Sequence, residues 1–559
     1  MSLTKEQLYE ALVEGGGVTK EEFLSASRSR DAKRDGIDGV LVSRGVLADL
    51  QIGQLIADYY SVPFISISKT NVKKDIIKLI PESFARKQHV FPIEKKGEEI
   101  TIAVSDPSNA TLSALLEKYL RGNVNLVYAT KNDLDGAMYL FQKDPEEALK
   151  SIIDATTGDQ GSRVVNLVST MIDYAYQTSA SDIHIEPEED YTMIRYRIDG
   201  VLKDIYEMPK QFHEYIISRI KVLAKLAIDE HRAAQDGKIR HRSIWGDKID
   251  IRVSIVPTTN GEKVVMRLLA EKSRQFSLTD LGFSEEDLEK LQAAIKRPWG
   301  MILVTGPTGS GKSTSLYAAL KLLNKREVNI ATIEDPVEYD ITGVNQIQVN
   351  AKTDLTFAKG LRSIVRQDPD IIMVGEIRDK ETAQISVNAA MTGHLVLSTL
   401  HTNDSATAFP RLEDMSVEDF LISSTVIVVL AQRLVRRICL ACIESFQIDS
   451  ADEKLLKNYP QVVKYLEELS GKKKLTSIRV FKGKGCPVCH NTGYTGRTGV
   501  FEVLNVTDAI REAIMQGKDA DSIRDISVKE GMTTMLHDGV KKVLTGITTI
   551  EEILRVTQE

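Results

Sequence analysis

Three observations predict an α/β multidomain fold for this sequence. From about residue 276, short apolar runs (GMILVTG, NIATIEDP, IIMVGE, HLVLSTLHT) alternate with helical patterns. Such alternation argues for a mostly parallel sheet of RecA type. Before that point, YTMIRYRIDG and KIDIRVSIV alternate with period two between turn residues, which argues for antiparallel strands. All four cysteines fall in two CxxC pairs late in the chain, which argues for a small metal-stapled element inserted in the core.

The 559 residues suggest three or four domains at roughly 100–200 residues each. The hydrophobic fraction of 42% and charged fraction of 27% allow large cores. Residues 1–145 read as a small N-terminal α/β domain, with LADLQIGQLIADYY helical and EEITIAV and VNLVYAT as strands. Residues 146–162 read as a polar, partly helical linker. Residues 163–275 form a middle α/β domain, with helices around VVNLVSTMIDYAYQ and HEYIISRIKVLAKLAI. Residues 276–559 form the core domain. Within it, 436–492 is the cysteine element and 493–559 a helical C-terminal part. The longest apolar candidate, LISSTVIVVLAQRLVRR, is shorter than the roughly 20 residues that span a bilayer. The N-terminus lacks an apolar signal core, so the chain reads as cytoplasmic.

GPTGSGKS at 306–313 fits G-x-x-x-x-G-K-[ST], between the strand MILVT and a helix. Composition alone gives such a match about 0.02 times in a chain of this length. Gly306, Gly309 and Gly311 let the backbone curl so that its N–H groups face phosphate oxygens. Pro307, Thr308, Ser310 and Thr314 complete the loop. Lys312 suits the β- and γ-phosphates, and Ser313 suits Mg²⁺. The expected ligands are ATP and Mg²⁺.

Two other apolar runs end in carboxylates, Glu334 in NIATIEDP and Glu376 in IIMVGEIRD. Phosphoanhydride hydrolysis needs a held metal ion and an oriented water, a division of labour that two neighbouring carboxylates can share. His394 and His401 flank another run, TGHLVLSTLHTND. Position alone favours a structural role for both, although His401 falls where doubly wound sheets bind ligands.

Cys439 with Cys442, and Cys486 with Cys489, make a closed S₄ set in which two-residue spacing lets both thiolates of a pair reach one ion. Zn²⁺ fits best in a reducing compartment, with an iron–sulfur cluster as the weaker option.

Together these residues resemble the secretion ATPases of type II secretion and type IV pilus systems, most of all the pilus assembly (extension) type. The resemblance spans about 163–559. It rests on SDIHIEP, QDGKI, GPTGSGKST, ATIEDPVEY, LRSIVRQDPDIIMVGEIRD, TGHLVLSTLHTND, the cysteine pairs and GRTGVFEVL. It implies a homohexameric cytoplasmic ring that works through an inner-membrane platform protein and drives pilin or pseudopilin assembly. Membrane association would be peripheral, through these partners. Glu334 would activate water, Glu376 would act on Mg²⁺, and His401 would contact the γ-phosphate. Arg252 and Arg267 would reach the neighbouring subunit's nucleotide in trans. A two-residue turn at Asn260–Gly261 would pair Ser254 with Arg267, making the arginines diagonal neighbours on one face. The cysteine element is typical of extension motors. GVLADLQIGQLIADYYSVPFISI resembles the family's N-terminal docking domain. One subclass of that domain binds cyclic di-GMP through a doubled motif opening on Arg-Leu-Gly. The best approach here, DGIDGVLVSRGV, lacks that opening, so docking is expected instead.

Type II secretion and DNA-uptake motors share these motifs. A RecA-like nucleic-acid translocase would need a basic, aromatic-bearing channel. The net charge of −7 and 6% aromatics do not support one, so no nucleic-acid partner is expected. A non-hydrolysing nucleotide switch fits poorly with an intact Lys312 and Glu334.

Overall fold

A computed structural model of the chain describes residues 5–28, 37–38, 40–41, 47, 49–67, 70, 72–120, 122–141, 145–153, 160–243, 247–269, 277–489 and 491–557. Most of DGIDGVLVSRGV, and the expected boundary at 275/276, lie outside these residues. No helix among the described residues is long and apolar enough to cross a membrane.

The N-terminal part carries a three-stranded sheet, β1 (Val90–Lys96), β2 (Glu99–Val104) and β3 (Asn123–Tyr128). β2 runs antiparallel to β1 and parallel to β3, with helix Ala110–Leu120 as the crossover.

The middle part is a six-stranded antiparallel sheet. Its strands are β4 (Ala180–Pro187), β5 (Tyr191–Ile198), β6 (Val201–Pro209), β7 (Gln235–Arg242), β8 (Lys248–Thr258) and β9 (Gly261–Leu269), in the order β6-β5-β4-β9-β8-β7. Period-two alternation gives each strand one apolar face. Ile183, Ile185, Ile194, Tyr196, Ile251, Val253, Val264 and Met266 form it, and they pack with helices Gln160–Gln177 and His213–Ala224. The other face carries most of the charged residues. On the helix-covered side, Lys221 is fully buried, and its Nζ lies 2.8 Å from Glu262 and donates to the Glu230 carbonyl at 2.6 Å. A buried ammonium persists only when paired in this way.

The β8–β9 hairpin differs from expectation. Thr258 pairs with Gly261, so the two loop residues are Thr259 and Asn260, not Asn260 and Gly261. Gly261 closes the turn at φ +134°, a conformation that favours glycine. The Thr258 hydroxyl donates to the Gly261 carbonyl at 2.6 Å, and Lys210 Nζ donates to the Asn260 carbonyl at 2.8 Å. Arg252 therefore sits directly opposite Arg267, and Ser254 faces Val265.

The core sheet contains β10 (Gly300–Thr305), β11 (Ile330–Glu334), β12 (Asn345–Gln348), β13 (Ile371–Val374), β14 (Leu395–Leu400) and β15 (Val426–Ile438). The chain then forms a two-stranded antiparallel sheet of β16 (Ile443–Gln447) and β17 (Arg479–Gly483), with helices Ser450–Leu456 and Pro460–Ser470 between them, and returns as β18 (Tyr494–Asn505). The core order is β12-β11-β13-β14-β10-β15-β18, with parallel pairing from β12 through β15. β10, β13 and β14 are buried along their whole length, as parallel strands covered on both faces must be. Thr305 pairs with Leu400, Val374 with Ser398, and Ile333 with Val374. The carboxyl ends of β10, β14, β13 and β11 therefore line up at one sheet edge, where α/β folds bind ligands.

Two stretches depart from the sequence reading. The first residues of the expected helical part, 493–559, are strand β18; its run GVFEVL is buried nearly throughout, so it shows no strand alternation to read. Helices Asp508–Met515, Ala520–Lys529, Met535–Leu544 and Ile550–Thr557 follow it. Pro145–Ile153, mostly within the expected linker, is a helix whose Leu149 is fully buried in the middle-sheet core. The chain forms two compact units. One is 1–143, 436–496 and 540–553; the other is 144–435, 497–539 and 554–559. The structure thus assigns 145–153 to the body of the middle sheet. Leu149→Ala is expected to cost about 2–5 kcal/mol of local stability, read as a lowered midpoint of chemical unfolding; a flexible linker would show no shift.

Candidate functional site

All residues of the phosphate site belong to the second unit. Gly306, Gly309 and Gly311 take φ of +141°, +80° and +90°, so the loop curls as the motif demands, and helix Lys312–Leu323 starts directly after it. The loop is braced by Gln432 of β15. Its Nε2 donates to the Ser310 carbonyl at 2.7 Å and its Oε1 accepts from Ser315 Oγ at 2.7 Å. A Cβ on Gly306 would lie 2.5 Å from the Gln432 carbonyl, so glycine is required by space as well as by conformation. Nothing in the sequence signalled Gln432, because a lone glutamine in an apolar run has no motif.

Lys312 Nζ donates to the Gly306 carbonyl at 2.7 Å and to that of Pro307 at 3.1 Å. Burial lowers its pKa, against an opposing pull from Glu376. Ser310 Oγ is buried without a hydrogen-bond partner among the described residues. An ammonium held by loop carbonyls, an orphaned hydroxyl and a helix N-terminus fit a bound polyphosphate.

A cavity of about 920 Å³ opens from this loop. Glu334 is 4% exposed and lines it. Its carboxylate accepts from Thr332 Oγ1 at 2.5 Å, from Gln346 Nε2 at 3.2 Å and from the Tyr317 hydroxyl. Burial, then the Glu334 charge, raises the Tyr317 pKa, so this phenol stays a donor. Sequence reading missed Thr332, Tyr317 and Gln346, which meet Glu334 only in the folded chain.

Glu376 is 9% exposed and lies in the same cavity. Arg378 Nη2 lies 2.6 Å from one of its oxygens and His401 Nε2 lies 3.2 Å from the other. His401 lines the cavity. His394 instead sits at the far end of β14, its Nδ1 2.8 Å from the Ala389 carbonyl. Arg378 was visible within IIMVGEIRD but had been given no role.

Arg267 lines the cavity of its own chain, and its Nε donates to Asp182 Oδ1 at 2.9 Å. Arg252 is not among the cavity's lining residues. It reaches the loop after Glu334 in the same chain, where Nη2 donates to the Val337 carbonyl at 2.6 Å and Nη1 lies 3.1 Å from Glu338. The two arginines are direct cross-strand partners rather than diagonal ones.

In the first unit, the Sγ atoms of Cys439, Cys442, Cys486 and Cys489 all lie within 4.8 Å of one another. Backbone N–H groups of Cys486 and Gly493 donate to Cys489 Sγ at 3.2 and 3.1 Å, the hydrogen bonding a thiolate ligand needs. Gly485 takes φ +91° at the turn. A hydrogen bond from Cys486 holds the Cys439 pKa down to about 5, while burial pushes Cys442 up to about 12. One thiol thus ionises first, and a dication would draw the others after it. The donor set suits a single tetrahedral ion.

A family model described as type II/IV secretion system protein matches residues 157–555, and an MshEN domain model matches residues 60–148. The chain is 38% identical over 567 residues to the type IV pilus assembly ATPase PilB of Myxococcus xanthus, covering 98% of each. It is 47% identical over 411 residues to the type II secretion system protein HxcR of Pseudomonas aeruginosa, covering 74% of this chain and 81% of that one. The X-ray structure of the Legionella pneumophila ATPase DotB aligns with a TM-score of 0.52 at 20% identity, over 73% of this chain and 98% of that one. That last likeness concerns the fold.

Elemental analysis of the purified chain is expected to find one Zn²⁺ per chain. Cys486→Ala with Cys489→Ala should abolish it; visible absorption from iron would instead mark a cluster.

Proposed function

The chain belongs to the type II/IV secretion system protein family, and we propose on that premise that it is a hexameric motor. In this reading it hydrolyses ATP to drive type IV pilin or pseudopilin assembly at the cytoplasmic face of the inner membrane. The observation that carries the reading is the convergence of Lys312, Glu334, Glu376 and His401 on one cavity. The relative HxcR, of type II secretion, keeps pseudopilin assembly within the same reading.

The loop 306–314 holds the phosphates through its N–H groups, Lys312 and the helix N-terminus. Glu334, fixed by Tyr317, Gln346 and Thr332, orients the attacking water in line and accepts its proton. Glu376 and Ser313 are the residues that would hold Mg²⁺, which when bound neutralises charge developing on the phosphate oxygens. Arg378 and His401 balance the Glu376 carboxylate beforehand, and His401 then turns to the γ-phosphate. Arg267 closes on the same phosphate from the middle sheet. Arg252 ties that sheet to the strand end bearing Glu334. Hydrolysis removes the group that holds the two walls together, and their separation is the stroke delivered to a membrane platform protein. The four-cysteine element is a structural Zn²⁺ staple, and the N-terminal domain docks on membrane-side partners.

Glu334→Gln is expected to keep ATP affinity while lowering kcat by about 10²–10⁴. Glu376→Gln should instead raise the Mg²⁺ concentration at half-maximal turnover. Both follow from steady-state ATPase assays with nucleotide binding measured in parallel. Identical defects in the two variants would sink the division of roles.

A further inference from the structure

The charged face of the middle sheet holds a row of which the motor reading uses only part. Arg197 pairs with Asp182 across β5 and β4, Asp182 with Arg267 across β4 and β9, and Arg267 with Arg252 across β9 and β8. Directly paired residues of antiparallel strands share a face, so these four side chains form one line across the strands. The apolar core occupies the opposite face, which fixes this one outward. Arg197, Asp182 and Arg267 all line the cavity that contains Lys312, Glu334 and Glu376.

Asp182 is 5% exposed and stands between two guanidinium groups. Its Oδ1 accepts from Arg267 Nε at 2.9 Å, and its Oδ2 lies 3.6 Å from Arg197 Nε. The Ser181 hydroxyl donates to the same Oδ2 at 2.8 Å. Arg197 Nη1 donates to the Gly200 carbonyl at 3.1 Å, which fixes the fork's orientation. Each arginine meets the carboxylate through Nε, so neither Nη2 is needed to hold it. Within the cavity, two guanidinium groups share one carboxylate, so the row presents a net positive charge to an entering phosphate.

We propose that Arg197 is a third arginine of the phosphate clamp, contacting the terminal phosphate of ATP, and that Asp182 is the positioning residue aiming Arg197 and Arg267 together. This rests on the ATPase reading above. The phosphate loop encloses the β-phosphate from the core side, so cations on the facing wall meet the phosphate projecting beyond it. Guanidinium forks suit such an oxygen triad because they bind bidentately. A buried carboxylate shared by both forks removes their mutual repulsion and their rotamer freedom before the anion arrives.

The test uses the full chain with Mg²⁺ and two fluorescent nucleotides, an ATPγS and an ADP derivative. Arg197→Gln should weaken the ATPγS derivative about tenfold, the loss of one charge-assisted contact, while ADP affinity stays within about twofold. Arg197→Lys, which keeps charge but not the fork, should recover only part of the loss. Asp182→Asn should lower kcat about tenfold and weaken the ATPγS derivative while leaving ADP affinity within about twofold, because both forks lose their aim at the terminal phosphate. Equal losses for both nucleotides with Arg197→Gln and Arg197→Lys, or no loss for either, overturn the clamp assignment. An unchanged kcat for Asp182→Asn overturns the positioning role. If the unmodified chain binds neither nucleotide, it is the ATPase reading that fails.

Discussion

A site for a polyphosphate must hold several cations close together before the anion arrives, and like charges at such distances repel. In this chain several cations of the cavity are countered by carboxylates that the fold itself buries. Arg267 and Arg197 share Asp182, and Arg378 meets Glu376, beside which His401 also lies. Lys312 is held instead by two loop carbonyls. An unpaired buried charge would be strongly destabilising. The site is therefore a set of ion pairs whose positive members can trade partners. An incoming phosphate competes for cations already in place, so the ordering cost is met during folding rather than at binding.

The same logic governs the loops around the cavity. The phosphate loop is short and glycine-rich, and alone it would sample many shapes. Gln432 binds both its Ser310 carbonyl and the Ser315 hydroxyl one turn into the helix, so the neighbouring strand dictates its curl. The loop after His401 is fixed in the same manner. Ser405 donates its N–H to the buried Glu502 of β18 at 3.1 Å, and Asp404 pairs with Arg524. Burial raises the Glu502 pKa against the donors that favour its charged form. Both loops end parallel strands, so their bases are set by sheet hydrogen bonds and their tips by a side chain from another strand.

Much of this was legible in the sequence, and the reasons divide cleanly. The phosphate loop, the carboxylate-ended strands and the cysteine pairs are local patterns, and the structure brings Lys312, Glu334, Glu376 and His401 to one cavity and the four thiols to one cluster. The hairpin register was read one step wrong on each strand. Side-chain direction repeats every two residues, so Arg252 and Arg267 kept their shared face while their partners changed. Tyr317, Gln346, Gln432 and Asp182 were not found, because each acts through a partner far along the chain. Strand β18 and helix Pro145–Ile153 were misread for opposite reasons. One is too uniformly buried to show alternation, and the other too polar at its start to announce a core residue such as Leu149.

The cross-strand row also explains why the middle sheet and the core can act as one device. Arg252 ends on Val337 and Glu338, three and four positions beyond Glu334 on the same strand-end loop. Its direct partner Arg267 ends in the cavity. One antiparallel sheet carries both, and all six of its strands are paired through the row or directly beside it. Displacement of that sheet against the core must therefore move the arginine wall and strain the loop after Glu334 together. Two contacts on one rigid body cannot be released independently. In the proposed motor, loss of the phosphate at one end would thus be transmitted to Glu334 through covalent structure and sheet hydrogen bonds, without a chain of small side-chain adjustments.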